Sequence, residues 1–154
     1  MGIIDAPASA AQLLSAGELA PDFVALAHTG AKVRLSELSN KPVLLVFYDK
    51  NGSTASGAVF EALGREWLDL QPHVGLVLAL GPHNAIEQAA FATKTQLPFM
   101  FVADDSNTLR RAFGVTHAKT PVTSFLVGKD RRILRAGPAS ANEPEQLLRL
   151  LAPP

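Results

Sequence analysis

Gly52-Ser53-Thr54-Ala55-Ser56-Gly57 sets three hydroxyls between two glycines, after an apolar run and before a segment with helical spacing. The Gly-x-x-x-x-Gly spacing is that of a phosphate loop. A lysine and a hydroxyl residue should follow, but Ala58 and Val59 stand there, so a nucleoside triphosphate would lose its main charge partner. Backbone N–H groups at the helix start, with the Ser53 and Thr54 hydroxyls, could still hold a small anion. The plainer role of the same residues is to cap the helix. A nucleophilic serine calls for Gly-x-Ser-x-Gly, whereas Ser56 has Thr54 two before it and Gly57 directly after. Its base would have to be His28, His73, His83 or His117, and none has a triad-like relation to it in sequence. All four read as solvated loop histidines.

Other chemistries have less to work with. The chain has no cysteine, which removes thiolate catalysis, disulfides and cysteine metal sites. Asp104-Asp105 closes an apolar run, where α/β sheets often place sites. Adjacent aspartates point apart, however, and no third ligand is evident, so a turn and helix start near Ser106 is expected there. No metal and no cofactor are expected. Lys+Arg and Asp+Glu balance at 14 each, giving no field to recruit nucleic acid or an anionic membrane. The start lacks a signal-peptide pattern, no apolar run approaches a membrane span, and the expected compartment is the cytoplasm.

The elements that must position the loop follow from periodicity. The 154 residues amount to about one domain. Residues 7–15 could form a short helix. Val33–Leu35 reads as a strand and Ser36 as the cap of a brief helical turn. The continuous run Val43–Tyr48 is a strand buried on both faces. Val59, Phe60, Leu63, Trp67 and Leu70 give Thr54 to about Leu70 one apolar helical face, with Trp67 in the core. Val74–Leu80 and Phe99–Val102 are further strands. Asn84 caps a helix to about Thr95, and Ser106 or Asn107 starts a short helix closed by Gly114. Thr123–Val127 and Arg131–Arg135 form a hairpin, and Asn142 with Glu145 resembles a capping box for the last helix. Arg110-Arg111 and Arg131-Arg132 read as solvated faces. Together these give an α/β domain with a mixed sheet.

Several strings in this order resemble the peroxiredoxin (AhpC/TSA) family, in particular its small branch related to bacterioferritin comigratory protein. They are Gly17-Glu18-Leu19-Ala20-Pro21-Asp22-Phe23, Leu35-Ser36-Glu37-Leu38, Lys41 to Tyr48, Gln96-Leu97-Pro98-Phe99, Ala103-Asp104, Phe113-Gly114-Val115 and Ser124-Phe125-Leu126-Val127. The resemblance implies a thioredoxin-like fold, a central mixed β-sheet flanked by helices, over residues 17–152, preceded by an extension of residues 1–16. It also implies that the family's Pro-x-x-x-Thr/Ser-x-x-Cys motif falls on Asp49, Ser53 and Ser56. Ser53 then fits the peroxide-binding hydroxyl, and Ser56 stands at the peroxidatic cysteine. The family's glutamate falls on Val59, its resolving cysteine (where used) on Glu61, and its thiolate-supporting arginine on Val122.

A peroxidatic thiolate attacks the O–O bond and becomes a sulfenic acid that a second thiol reduces. Serine has no counterpart of that cycle. The expected function is therefore a peroxiredoxin-like protein without peroxidase turnover, acting by binding. The alternative is a thiol peroxidase carrying serine in place of cysteine at position 56. A single designed change would leave the rest of the motif intact, yet Asp49, Val59 and Val122 depart as well, which fits natural loss. Family members often pair through the edge around this loop, so the expected partners are a second copy or an unidentified protein, and neither nucleic acid nor membrane.

Overall fold

The computed structural model describes residues 3–5, 8–38, 40–116 and 120–152. The central sheet takes its order from the most apolar segments. β4 (Val43–Tyr48) is buried at every position. It pairs in parallel with β5 (Leu76–Gly81) and antiparallel with β7 (Val122–Val127). β6 (Met100–Ala103) extends the sheet beyond β5, and β8 (Ile133–Pro138) beyond β7, giving the order β6-β5-β4-β7-β8. This mixed sheet flanked by helices is the thioredoxin-like arrangement expected from the sequence. A second sheet joins β1 (Ile3–Asp5), β2 (Val24–Leu26) and β3 (Lys32–Arg34), all antiparallel.

Alternation along the strands divides the core between two faces. Phe47, Phe125, Phe113, Phe23 and Leu109 pack on one face. On the other, Tyr48, Phe101 and Val122 of the sheet cluster with Val59 and Phe60 of α1 (Thr54–Arg65) and Leu147 of α5 (Glu143–Leu151). Aromatic edges interlock within both layers, as in the T-shaped Tyr48–Phe60 pair with centroids 5.0 Å apart.

Several local expectations are corrected. Residues 8–15 are not helical. Their N–H groups go outward, Ala10 N–H to the Arg111 carbonyl (2.8 Å) and Leu14 N–H to the Phe113 carbonyl (3.1 Å). These carbonyls lie at the end of α4 (Thr108–Ala112), where the last turn leaves C=O groups open to outside donors; the Arg111 carbonyl also takes the Gly114 N–H at 3.1 Å. The helix expected to reach Leu70 breaks at Glu66, whose φ/ψ of −99/12° separates α1 from α2 (Trp67–Leu70). The capping box at α5 does not form: Asn142 has helical backbone and no side-chain cap, while Glu145 reaches forward to Arg149 at 2.6 Å. The turn at Leu35–Glu37 begins from Arg34, without a Ser36 cap. The cap on α3 (Ala85–Thr95) does form: Asn84 and Glu87 make a reciprocal capping box.

Candidate functional site

β4 delivers the loop 49–53 to the carboxyl end of the sheet, and α1 leaves from it. Gly52 has a φ of +81°, a conformation that glycine adopts without Cβ strain, and it turns the chain into Ser53. Ser53 is the N-cap, its Oγ accepting the Ser56 N–H at 3.1 Å. The same hydroxyl donates to Asp49 Oδ1 at 2.7 Å and lies 2.8 Å from Ser56 Oγ. The Ser56 hydroxyl donates within the loop, to the Lys50 carbonyl at 3.1 Å, with the Ser53 carbonyl at 3.3 Å. Ser56 is fully buried. Asp49, Ser53 and Ser56 thus form one hydrogen-bonded unit in which each hydroxyl is already engaged.

The structure places Val59 and Val122 in the core beneath this unit, at 0% and 1% exposure. They belong to the same cluster as Tyr48, Phe60 and Leu147. A charge at position 56 would meet apolar walls, a carboxylate linked to it through Ser53, and no cation from Val122. Glu61 is exposed and pairs with Arg65 at 3.6 Å. An anion would also meet Asp49, and the Ser53 oxygen is already committed to Asp49 and the Ser56 N–H, which favours the capping role over anion binding.

Sequence reasoning missed a polar network behind the loop. The Tyr48 hydroxyl donates to Asn51 Oδ1 (2.6 Å) and accepts from Gln88 Nε2 (2.9 Å). Asn51 Nδ2 donates to Gln88 Oε1 (2.9 Å), and Gln88 Nε2 also reaches the Val102 carbonyl (3.0 Å). Burial pushes the Tyr48 phenol well above the usual tyrosine range, partly offset by the Gln88 hydrogen bond. Gly81 makes room for the network, since a Cβ there would lie 2.6 Å from the Tyr48 hydroxyl. A glutamine at a core position of α3 was the available signal.

Two histidines are structural rather than merely solvated. His83 Nε2 accepts the Asn51 N–H at 2.9 Å, and His28 Nδ1 accepts the Phe101 N–H at 3.0 Å. His73 is half-buried, and His117 lies outside the described residues. Asp104 is buried, Asp105 exposed. The Asp104 carboxylate accepts the Leu109 and Arg110 N–H groups, both at 3.0 Å. Burial nevertheless raises its pKa above the usual aspartate value, against the pull of those bonds and of Arg110. Arg110 departs from the expected solvated face, with its Nε buried and its Nη1 on Asn107 Oδ1. Arg131 is half-buried near Asp22. Among the described residues, no three His, Asp or Glu side chains cluster as metal ligands.

Residues 16–136 match the AhpC/TSA family. The chain belongs to it. This AhpC/TSA member is 26% identical over 131 residues to peroxiredoxin Bcp of Bacillus subtilis, covering 77% of this chain and 82% of that one. It is 31% identical over 106 residues to chloroplastic peroxiredoxin Q of Triticum aestivum, covering 66% of this chain and 47% of the wheat protein. It therefore spans about half the wheat protein's length. The crystal structure of peroxidoxin BcpB from Mycobacterium tuberculosis superimposes with a TM-score of 0.77 at 20% identity, covering 89% of this chain and 96% of that one. The AhpC/TSA fold is thus present without the cysteine that defines peroxiredoxin chemistry. No helix among the described residues is long and apolar enough to cross a membrane.

Proposed function

We propose that this chain is a peroxiredoxin-like protein that has given up peroxide turnover and acts by binding, through the surface around residues 49–57. The observation that carries this reading is Ser56 itself. Its buried hydroxyl is committed to the Lys50 carbonyl and to Ser53, in a chain without cysteine. A serine hydroxyl stays protonated near neutral pH and has no sulfenic acid cycle. Asp49, Val59 and Val122 support the same reading, because the shield, glutamate and arginine positions have each lost their former chemistry. A peroxide-consumption assay with dithiothreitol or thioredoxin as donor tests it, with turnover expected at the level of the heat-denatured protein. Consumption well above that level overturns the proposal.

The occupant of the surface in this reading is a second copy or another protein, and the compartment is the cytoplasm. Sedimentation at increasing concentration tests the homodimer. The rival reading, a thiol peroxidase with serine standing for cysteine at 56, draws on the 2.8 Å approach of the Ser53 hydroxyl to position 56. Codon 56 of the source gene separates the two.

A further inference from the structure

His83 follows β5 and precedes the α3 cap, at the same end of the sheet as the 49–53 loop. Its Nε2 accepts the backbone N–H of Asn51 at 2.9 Å. An imidazole nitrogen that accepts must be unprotonated, so the ring is the neutral tautomer with its proton on Nδ1. Nδ1 faces Glu87 Oε2 at 3.9 Å. Protonating Nε2 would set two donors against each other and end the bond to Asn51. The same protonation would gain the nearby Glu87 carboxylate. Asn51 is the middle of the loop, and Gly52, at a φ of +81°, lies next to it as a point where the backbone can turn. The Asn51 side chain is held separately by Tyr48 and Gln88, so the histidine controls the backbone of the loop and not its anchor.

We propose that His83 is a pH-sensitive latch on the Asp49–Ser53 loop: the neutral ring holds the loop backbone closed, and the protonated ring releases it. The charged residues at this edge are Glu87 on α3, Asp49 and Lys50 on the loop, and Asp104 and Asp105 after β6. Asp49 is engaged by Ser53 and Asp104 by the start of α4, and Glu87 lies 3.9 Å from the ring, where it becomes an ion-pair partner only once the ring is protonated. Histidine is the side chain whose charge state responds to pH near neutrality, so the loop is closed on the alkaline side and released on the acid side. Release would loosen the segment whose carbonyls hold the Ser56 hydroxyl. The latch concerns loop closure and stands independently of what the loop binds.

Amide hydrogen exchange read by NMR tests this directly. After correction for intrinsic exchange, protection of the Asn51 amide should fall on the order of tenfold from about pH 7.5 to about pH 5.5, while Val46 in the sheet centre stays protected. His83→Ala should show the low protection at both pH values. Glu87→Gln keeps an acceptor for the Asn84 N–H and should move the release to lower pH. Asn51 protection that follows intrinsic exchange alone in the unaltered chain overturns the latch, as does a fall that persists unchanged in His83→Ala.

Discussion

Ser53 carries more of the loop than Ser56 does. Its oxygen caps α1 and its proton goes to Asp49, so one hydroxyl joins strand end, loop and helix. Removing an N-cap hydroxyl costs about 1 kcal/mol. We expect Ser53→Ala to lower the unfolding free energy by about that amount in urea denaturation; an unchanged midpoint would mean that the cap is made by another group. The prominence of the hydroxyls in the loop was legible from Gly52 to Gly57. Their engagement was not, because no spacing rule says that Asp49 turns toward Ser53 or that Ser56 is sealed. The Asn51–His83 and Gln88 bonds were equally hidden, since they join residues 32 and 37 positions apart.

The long apolar runs gave up their elements readily. Val43–Tyr48 is a two-face-buried strand as expected, and the Asn84 box caps α3. The failures share a cause: a local pattern yielded to a tertiary partner. Ala10 and Leu14 give their N–H groups to the carbonyls at the end of α4 rather than to a helix of their own, and Glu145 prefers Arg149 to a cap. β2 was not expected, being three residues long and paired on both sides with distant chain. The docking of residues 8–16 turns on Gly114, which has a φ of +72° and would place a Cβ 2.1 Å from the Gln12 carbonyl oxygen. Gly114→Ala should therefore destabilise the protein by more than about 1 kcal/mol and make residues 8–16 the first site of limited proteolysis. Cleavage elsewhere with unchanged stability would contradict this docking account.

At the scale of the molecule, β7, β8 and α5 are tied by a buried carboxylate. Glu143, 1% exposed, accepts Ser124 Oγ at 2.5 Å and Arg135 Nη1 at 2.9 Å. Arg135 also reaches Gln146 at 2.7 Å. Burial raises the Glu143 pKa above the usual glutamate value, with Ser124 and Arg135 pulling it back down. A carboxyl whose folded pKa is raised binds its proton more tightly folded than unfolded, so its contribution to stability declines as pH rises from about 4.5 through the folded value. Arg135→Ala should cost about 3 kcal/mol at neutral pH by stranding that charge, and the deficit should shrink as the pH is lowered from neutral and Glu143 takes up a proton. A deficit that is constant across this range would show that Arg135 acts by packing alone. On the proposed reading, the positions around Ser56 that no longer serve peroxide chemistry are distributed in the same molecule-wide way, with Asp49 on the loop, Val59 on α1 and Val122 on β7. A sulfur at position 56 would be buried, set near a carboxylate and unsupported by a cation, three conditions that keep a thiol protonated. Peroxide turnover by the Ser56→Cys variant with a dithiothreitol donor tests this most directly. The account expects little gain over the unaltered chain, whereas vigorous turnover from that one substitution would contradict it and make Ser56 the sole lesion.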